Sequence, residues 1–303
     1  MISEAIIHSL MRLVGEENVL VAEPMKNHTT FRIGGKADAL VRISDREQLA
    51  KVLKYLSQVE VPYYILGNGS NLLVSDKGYQ GVIIETSDKM NEVRVDGSCL
   101  VCQAGALLSK VARTAYENGL TGLEFAAGIP GTIGGGVVMN AGAYGGELKH
   151  VVTHVTAMDR NGEELVFDNE AMEFGYRSSL IKKYPYIVTE VRVQLTEGDK
   201  SVIKEVMDDL AARRREKQPL EYPSAGSTFK RPEGHFAGAL IQDAGLKGYT
   251  VGGAQVSEKH SGFVINTGDA TAEDVRTLMA HVQKTVKEKF DVTLEPEVIY
   301  LES

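Results

Sequence analysis

Gly128-Ile-Pro-Gly-Thr-Ile-Gly-Gly-Gly-Val-Val-Met-Asn-Ala-Gly-Ala-Tyr-Gly-Gly146 is the densest run of glycine in the chain and carries no charged side chain. Glycine accepts backbone conformations closed to other residues and lets main-chain N–H groups approach a ligand, so such a loop can cradle an anion. A flexible linker of similar glycine content is rich in serine and charge. Here Ile129, Ile133, Val137, Val138, Met139 and Tyr144 must instead be hidden from water. A shorter segment of the same kind is Leu66-Gly-Asn-Gly-Ser-Asn-Leu72. Two such loops can hold one extended ligand between them.

The ligand fold is not of the G-x-G-x-x-G type. Gly67 and Gly69 are followed by Leu72-Leu-Val-Ser-Asp76 and a turn at Lys77-Gly78, with no third glycine opening a helix, and no G-x-x-x-x-G-K-[ST] occurs. The chain of 303 residues exceeds one comfortable core, so two or three domains are expected. Its net charge of −8 gives no basic footprint, which counts against nucleic acid and against an anionic membrane surface. No apolar run is long enough to cross a bilayer, and Met-Ile-Ser-Glu-Ala-Ile-Ile-His lacks the basic start of a signal peptide, so a cytoplasmic protein without membrane insertion is expected.

Cys99 and Cys102 form a C-x-x-C pair, but they fall around a strand turn at Asp96-Gly97, where positions i and i+3 point to opposite faces. They are expected to be ordinary half-buried side chains. His150 and His154 have no further ligand nearby, and no metal is expected.

The apolar spacing predicts a helix from Ile2 to Val14 stopped by Gly15, and a helix to about Gln58 opened by a capping box of Ser44 and Glu47. Ala39–Ile43 and Pro62–Leu66 read as strands on either side of it. Another helix, Lys110 to Asn118, is capped by Ser109 and ended by Gly119. Strands are expected at Val82–Ile84, Glu92–Val95, Leu100–Ala104, Val151–Met158, Glu163–Phe167 and Ile187–Leu195. Asp199 to Lys217 reads as an amphipathic helix with Val202, Ile203, Val206, Met207 and Leu210 inward, whose basic end, Arg213 to Lys217, is solvated and opposes the helix dipole. Ala237–Ala244 is a helix and Phe263–Asn266 a strand. A long helix opened by Thr271 and Asp274 buries Val275, Leu278, Met279, Val282, Val286 and Phe290. Arg177 is the one cation in Phe174-Gly-Tyr-Arg-Ser-Ser-Leu180 and a candidate for holding an acid. Glu295 and Glu297 share a strand face across Pro296.

Taken in order, Asn27-His-Thr-Thr30, Ile33-Gly-Gly35, Gly67-Asn-Gly-Ser-Asn-Leu-Leu73, Gly122 to Gly135, Met139-Asn-Ala-Gly-Ala-Tyr-Gly145, Tyr176-Arg-Ser178, Ala225-Gly-Ser-Thr-Phe-Lys230, Ala244-Gly-Leu-Lys-Gly248 and Glu295-Pro-Glu297 resemble the UDP-N-acetylenolpyruvoylglucosamine reductases, the MurB family of bacterial peptidoglycan synthesis. The likeness runs almost end to end, and the compact middle is similar to the shorter, type II branch. The resemblance implies an α+β chain with an FAD-binding fold of the PCMH or vanillyl-alcohol-oxidase type. Two subdomains (1–80 and 81–218) would hold FAD, and a third α+β domain (219–303) would bind substrate.

The resemblance also implies the reaction, in which NADPH reduces FAD and the flavin reduces enolpyruvyl-UDP-N-acetylglucosamine to UDP-N-acetylmuramate. Leu66, Gly67, Asn68, Gly69, Ser70, Asn71, Gly128, Thr132, Gly134, Gly135, Asn140, Gly142 and Val188 would contact FAD. Tyr144, Lys217 and Arg231 would contact the UDP-sugar. Hydride addition to an unsaturated acid pushes charge onto its carboxylate and calls for a proton donor to the α-carbon. By match to the family's motifs, Arg177 supplies the positive charge and Ser227 the proton, with Lys217 a candidate neighbour that polarises the hydroxyl. Glu297 assists as a protonated acid or through water. The chain departs from the family's usual pattern at Arg231-Pro232, where asparagine is common before the proline, and at His260-Ser-Gly-Phe263. The resemblance brings no nucleic-acid partner, and a monomer is favoured.

Overall fold

The computed structural model describes residues 2–302 and divides into two compact units. The first comprises Met1–Val21, Asp38–Asn68 and Gly81–Arg214; the second comprises Ala22–Ala37, Gly69–Gln80 and Arg215–Ser303.

In the first unit α1 (Glu4–Val14) ends at Gly15 with φ of 93°, a conformation glycine adopts without strain. Helix α2 (Arg46–Gln58) is capped by Asp45, whose side chain accepts from Gln48 N–H at 2.8 Å. Ser44 was the expected cap; Asp45 takes the place, Gln48 Oε1 accepts from Ser44 N–H at 3.0 Å, and Glu47 pairs with Lys51 instead. Leu49, Val52, Leu53 and Leu56 recur at helical spacing and are all buried. Each contributes on the order of 1.5–3 kcal/mol relative to exposure. They pack with Ile43, Val82 and Ile84 over a four-stranded sheet of order Val19–Val21, Ala37–Arg42, Tyr79–Glu85, Tyr63–Leu66. The last two strands run parallel, with Tyr63 opposite Val82.

A second sheet is antiparallel throughout, in the order Glu164–Asp168, Val152–Met158, Ile187–Gln194, Cys99–Gln103, Val93–Asp96. Helices α3 (Leu108–Glu117) and α4 (Ile133–Val138) cover it with Leu108, Val111, Ala115, Ile133 and Val137. The α3 start differs from expectation: Leu107 is the cap position and makes no side-chain bond, so Ser109 lies inside the helix. Burial pushes the Cys102 thiol up to about 12, while Cys99 is half-buried. Neither cysteine is a nucleophile at neutral pH.

Helix α5 (Leu180–Lys183) is short, and α6 (Lys200–Lys217) is long and thinly covered. Of its expected inward residues only Ile203 is buried; Val202 and Val206 are 57% and 41% exposed. The helix rests on one narrow row, Ile203, Met207, Leu210 and Arg214, so the neighbouring apolar row faces water. Arg214 belongs to that covered row, which corrects the reading of Arg213 to Lys217 as a wholly solvated end.

In the second unit α7 (Ala237–Asp243) and α8 (Ala272–Phe290) pack on an antiparallel sheet of order Thr250–Val251, Ala254–Val256, Val264–Asn266. The expected capping box of Thr271 and Asp274 opens α8, and Asp76 reinforces it by accepting from Ala272 and Glu273 N–H at 2.8 and 3.1 Å. Val275, Leu278, Val282 and Val286 are buried, whereas Phe290, in the last turn, is 37% exposed. Ile299–Leu301 runs parallel to Leu72–Val74.

Candidate functional site

In the first unit the strand Tyr63–Leu66 delivers the chain to Gly67 and Asn68, and these meet the segment that leads into α4. A β-carbon on Gly67 would lie 2.6 Å from Thr132 Oγ1. Asn68 Nδ2 donates to the Pro130 carbonyl at 2.5 Å. Thr132 caps α4 by accepting from Gly135 N–H at 3.2 Å, while Ile133 and Gly134 donate to Ala106 and Ala104 carbonyls at 2.7 and 2.9 Å. Gly134 and Gly135 therefore serve the turn itself; a β-carbon on Gly134 would meet that of Ala104 at 2.8 Å.

The donors left over are the N–H groups of Gly67, Asn68, Gly131 and Thr132, which have no acceptor among the described residues. In the second unit the N–H groups of Gly69, Ser70 and Asn71 are likewise without an acceptor among the described residues. Packed backbone that leaves consecutive amides unpaired is built to receive an anion. The residues present thus fit a pyrophosphate. Because a methyl on Gly67 must displace Thr132 Oγ1, Gly67→Ala is expected to distort the cradle at a cost of about 1–3 kcal/mol. Equilibrium dialysis of FAD against the apoprotein should show affinity lower by tenfold or more, and an unchanged affinity would contradict the cradle.

The same glycine segment ends in a hairpin. Gly142 pairs with Glu147 and Ala143 with Gly146, and both turn residues have positive φ, 53° for Tyr144 and 89° for Gly145. This primed turn holds the Tyr144 ring out, 47% exposed. Asn140, buried and at φ of 44°, uses its side chain wholly within the protein. It donates to Glu147 Oε2 at 2.8 Å and to the Gly175 carbonyl at 3.0 Å, and it accepts from Lys149 N–H. Ser179 Oγ donates to the Val138 carbonyl at 3.0 Å. These bonds fasten the two-residue turn Gly175–Ser178, whose second corner is Arg177 at φ of 52°. Asn140, Tyr144, Arg177 and also Glu173, at φ of 46°, have left-handed backbone here, stored strain of the kind found at functional sites. Arg177 is half-buried, with its guanidinium 5.2 Å from the Tyr176 ring centroid. Val188 is buried in the central strand opposite Ala157.

In the second unit Phe229 bridges Pro296 in antiparallel fashion, and Glu297 N–H donates to the Thr228 carbonyl at 2.9 Å. Ser227 and Glu297 are thus near neighbours in register. Ala225, Thr228 and Phe229 are buried around the exposed Ser227. Asn71 Nδ2 donates to the Glu297 carbonyl at 3.0 Å, fixing that residue from the other side. The two glutamates differ in surroundings: Glu295 is exposed and pairs with Lys230 at 2.9 Å, whereas Glu297 is half-buried with Oε2 enclosed. Lys217 ends α6 and is exposed, and the exposed Arg231 lies 3.8 Å from the Phe236 ring centroid.

Two residues of interest were not singled out from sequence as site residues. Arg214 turns its guanidinium against Gly128. His260 accepts the Gly262 N–H on Nδ1 at 3.1 Å and packs edge-on to Phe263, and burial lowers its pKa. Both sit on segments read as ordinary, a basic helix end and a loop, and only burial sets them apart.

Paired glycine loops on a two-sheet unit define the class, and residues 37–168 match the family described as FAD binding domain. The protein is an FAD-dependent oxidoreductase of α+β architecture with a PCMH-type FAD-binding fold. Residues 218–301 match UDP-N-acetylenolpyruvoylglucosamine reductase, C-terminal domain. A UDP-N-acetylenolpyruvoylglucosamine reductase of Clostridium perfringens is 56% identical over 283 residues, covering 93% of each chain. One from Caldanaerobacter subterraneus is 51% identical over 296 residues, covering 98% of each. The crystal structure of the Thermus caldophilus enzyme superposes with a TM-score of 0.81 at 36% identity, covering 94% of this chain and 98% of that one. The chain belongs to the UDP-N-acetylenolpyruvoylglucosamine reductase family. Among the described residues no helix is long and apolar enough to cross a membrane, and no group of three or more His, Cys, Asp or Glu is placed to hold a metal.

Proposed function

We propose that this protein, a reductase of the shorter type II branch, uses NADPH to reduce UDP-N-acetyl-3-O-(1-carboxyvinyl)-glucosamine to UDP-N-acetylmuramate in the cytoplasm. Bound FAD supplies the two-electron relay between NADPH and the substrate. The observation that carries the reading is the clamp of Gly67 and Asn68 on Pro130–Thr132 with its uncommitted amides, which suits the pyrophosphate of a dinucleotide. We assign Leu66, Gly128, Asn140, Gly142 and Val188 to the cofactor's surroundings, and likewise Gly69, Ser70 and Asn71.

In this reading Arg177 holds the substrate carboxylate and stabilises the charge that develops there. Ser227 Oγ gives its proton to the α-carbon. A serine hydroxyl is a weak acid, so the transfer depends on a strongly basic carbon and on a polarising neighbour, for which Lys217 is the candidate. Glu297, fixed from both sides of its backbone, completes the acid pair as a protonated carboxyl or through a water. Tyr144 and Arg231 contact the UDP-sugar; Arg231 brings a planar cation where the family commonly has asparagine. The functional division we assign is FAD subdomains at 1–80 and 81–218 and a substrate domain at 219–303, acting as a monomer. The test is spectroscopic. NADPH should bleach the flavin absorbance of the purified protein and the UDP substrate should restore it; a flavin that NADPH reduces but the substrate fails to reoxidise would refute the assignment.

A further inference from the structure

Arg214 is the cation that the proposed reaction leaves unused. It lies in the last turn of α6, half-buried, while Arg213 beside it is exposed and pairs with Asp209 at 2.8 Å. The Arg214 side chain lies against the first residue of the glycine segment: a β-carbon on Gly128 would be 3.0 Å from Nη1 and 3.1 Å from Cδ. Among the described residues no carboxylate pairs with it, and it makes no hydrogen bond there. Burial lowers its pKa, and the one group that offsets this is the Tyr144 phenol. Taking even part of a guanidinium out of water without a counter-charge is unfavourable. A fold keeps such a group where a ligand supplies the missing charge.

The place of Arg214 narrows which charge that is. The uncommitted amides of Gly67, Asn68, Gly131 and Thr132 already provide for the pyrophosphate. Arg214 instead lies against Gly128, the first residue of the segment, and Tyr144 is the group that acts on its charge. FAD carries a second, conditional charge: two electrons and one proton convert the neutral oxidised ring into an anion, the electrons coming from NADPH in the proposed reaction or from dithionite. We propose that Arg214 compensates the negative charge that the bound flavin ring acquires on reduction, so that it tunes the cofactor's potential rather than its anchoring. The proposal rests on the reading of the glycine segments as the FAD site.

The experiment compares holoenzyme with Arg214→Met and Arg214→Lys. The oxidised-FAD dissociation constant is measured by equilibrium dialysis, and the midpoint potential by reductive titration against a dye. Arg214→Met should weaken reduced FAD relative to oxidised FAD by tenfold or more, a fall of about 30 mV for a two-electron couple. Arg214→Lys should recover most of that shift. A tenfold loss of oxidised-FAD affinity with an unchanged potential would assign Arg214 to the pyrophosphate and overturn the proposal. So would an unchanged potential with only KM for the UDP substrate raised. If Arg214→Met fails to fold, the proposal stands or falls on Arg214→Gln read the same way. Wild-type protein that binds no FAD would instead refute the FAD reading itself.

Discussion

Ser227→Ala is expected to leave reduction of the bound flavin by NADPH within a few-fold of wild type while slowing its reoxidation by the enolpyruvyl substrate by about 10²–10⁴-fold. The asymmetry follows from where a proton is needed. Passing reducing equivalents from NADPH to the cofactor requires no proton on a carbon, whereas saturating the enolpyruvyl double bond leaves an α-carbon that must take one. Ser227 is exposed between the buried Ala225 and Thr228, so the segment is rigid while the hydroxyl remains accessible. The backbone also argues for a local effect: Thr228 N–H donates to the Gly262 carbonyl at 2.9 Å, its hydroxyl accepts from Val264 N–H at 2.8 Å, and neither bond involves the Ser227 side chain. Stopped-flow measurement of each half-reaction reads the two steps separately. Equal loss in both halves would sink the proton-donor role, as would a solvent isotope effect on reoxidation that the substitution leaves untouched.

The parts of the fold that could be read from sequence were those governed by local chemistry. Capping of α8 by Thr271 and Asp274 depends on residues three apart, and the apolar row of α2 on a 3.6-residue period; both signals are complete within the element. The row on α6 misled because periodicity reports which residues share a side and not how wide a strip the rest of the protein covers. Val202 and Val206 lie at the margin of a stripe whose covered part is a single row. Arg214 was hidden for the same reason: among Arg213, Arg214 and Arg215 composition is uniform, and only tertiary burial distinguishes one.

The site shows a similar division. Glycine content announced a cradle, but the assignment of its donors could not be counted from sequence. Gly134 and Gly135 spend their N–H groups inside the turn, and the free ones belong to Gly131 and Thr132. Asn140 reads as a ligand contact by motif, yet its amide spans Glu147, Gly175 and Lys149. That network depends on residues up to 35 positions apart in the chain.

The second large effect is expected at Arg177. Replacing it with methionine should lower kcat for the UDP substrate by about 10²–10³-fold, the usual consequence of removing one preorganised group from a developing negative charge. Lysine should rescue little, since a point charge on a flexible stem lacks the planar fork that meets a carboxylate with two parallel bonds. A backbone effect must be separated from the electrostatic one, because Arg177 sits at φ of 52° and any non-glycine replacement inherits that strain. Arg177→Gly relieves the strain and removes the charge. If it loses activity as severely as Arg177→Met, the charge is what matters. If Arg177→Gly were to retain near wild-type turnover, Arg177 would be a turn residue and the carboxylate would have to be held elsewhere. The brace supplies an independent check: Asn140→Ala removes the bond to the Gly175 carbonyl while leaving the guanidinium in place, so it should raise KM and lower kcat by a smaller factor than Arg177→Met. Should it abolish turnover while the cradle still binds FAD, the position of the turn would outweigh the charge it carries.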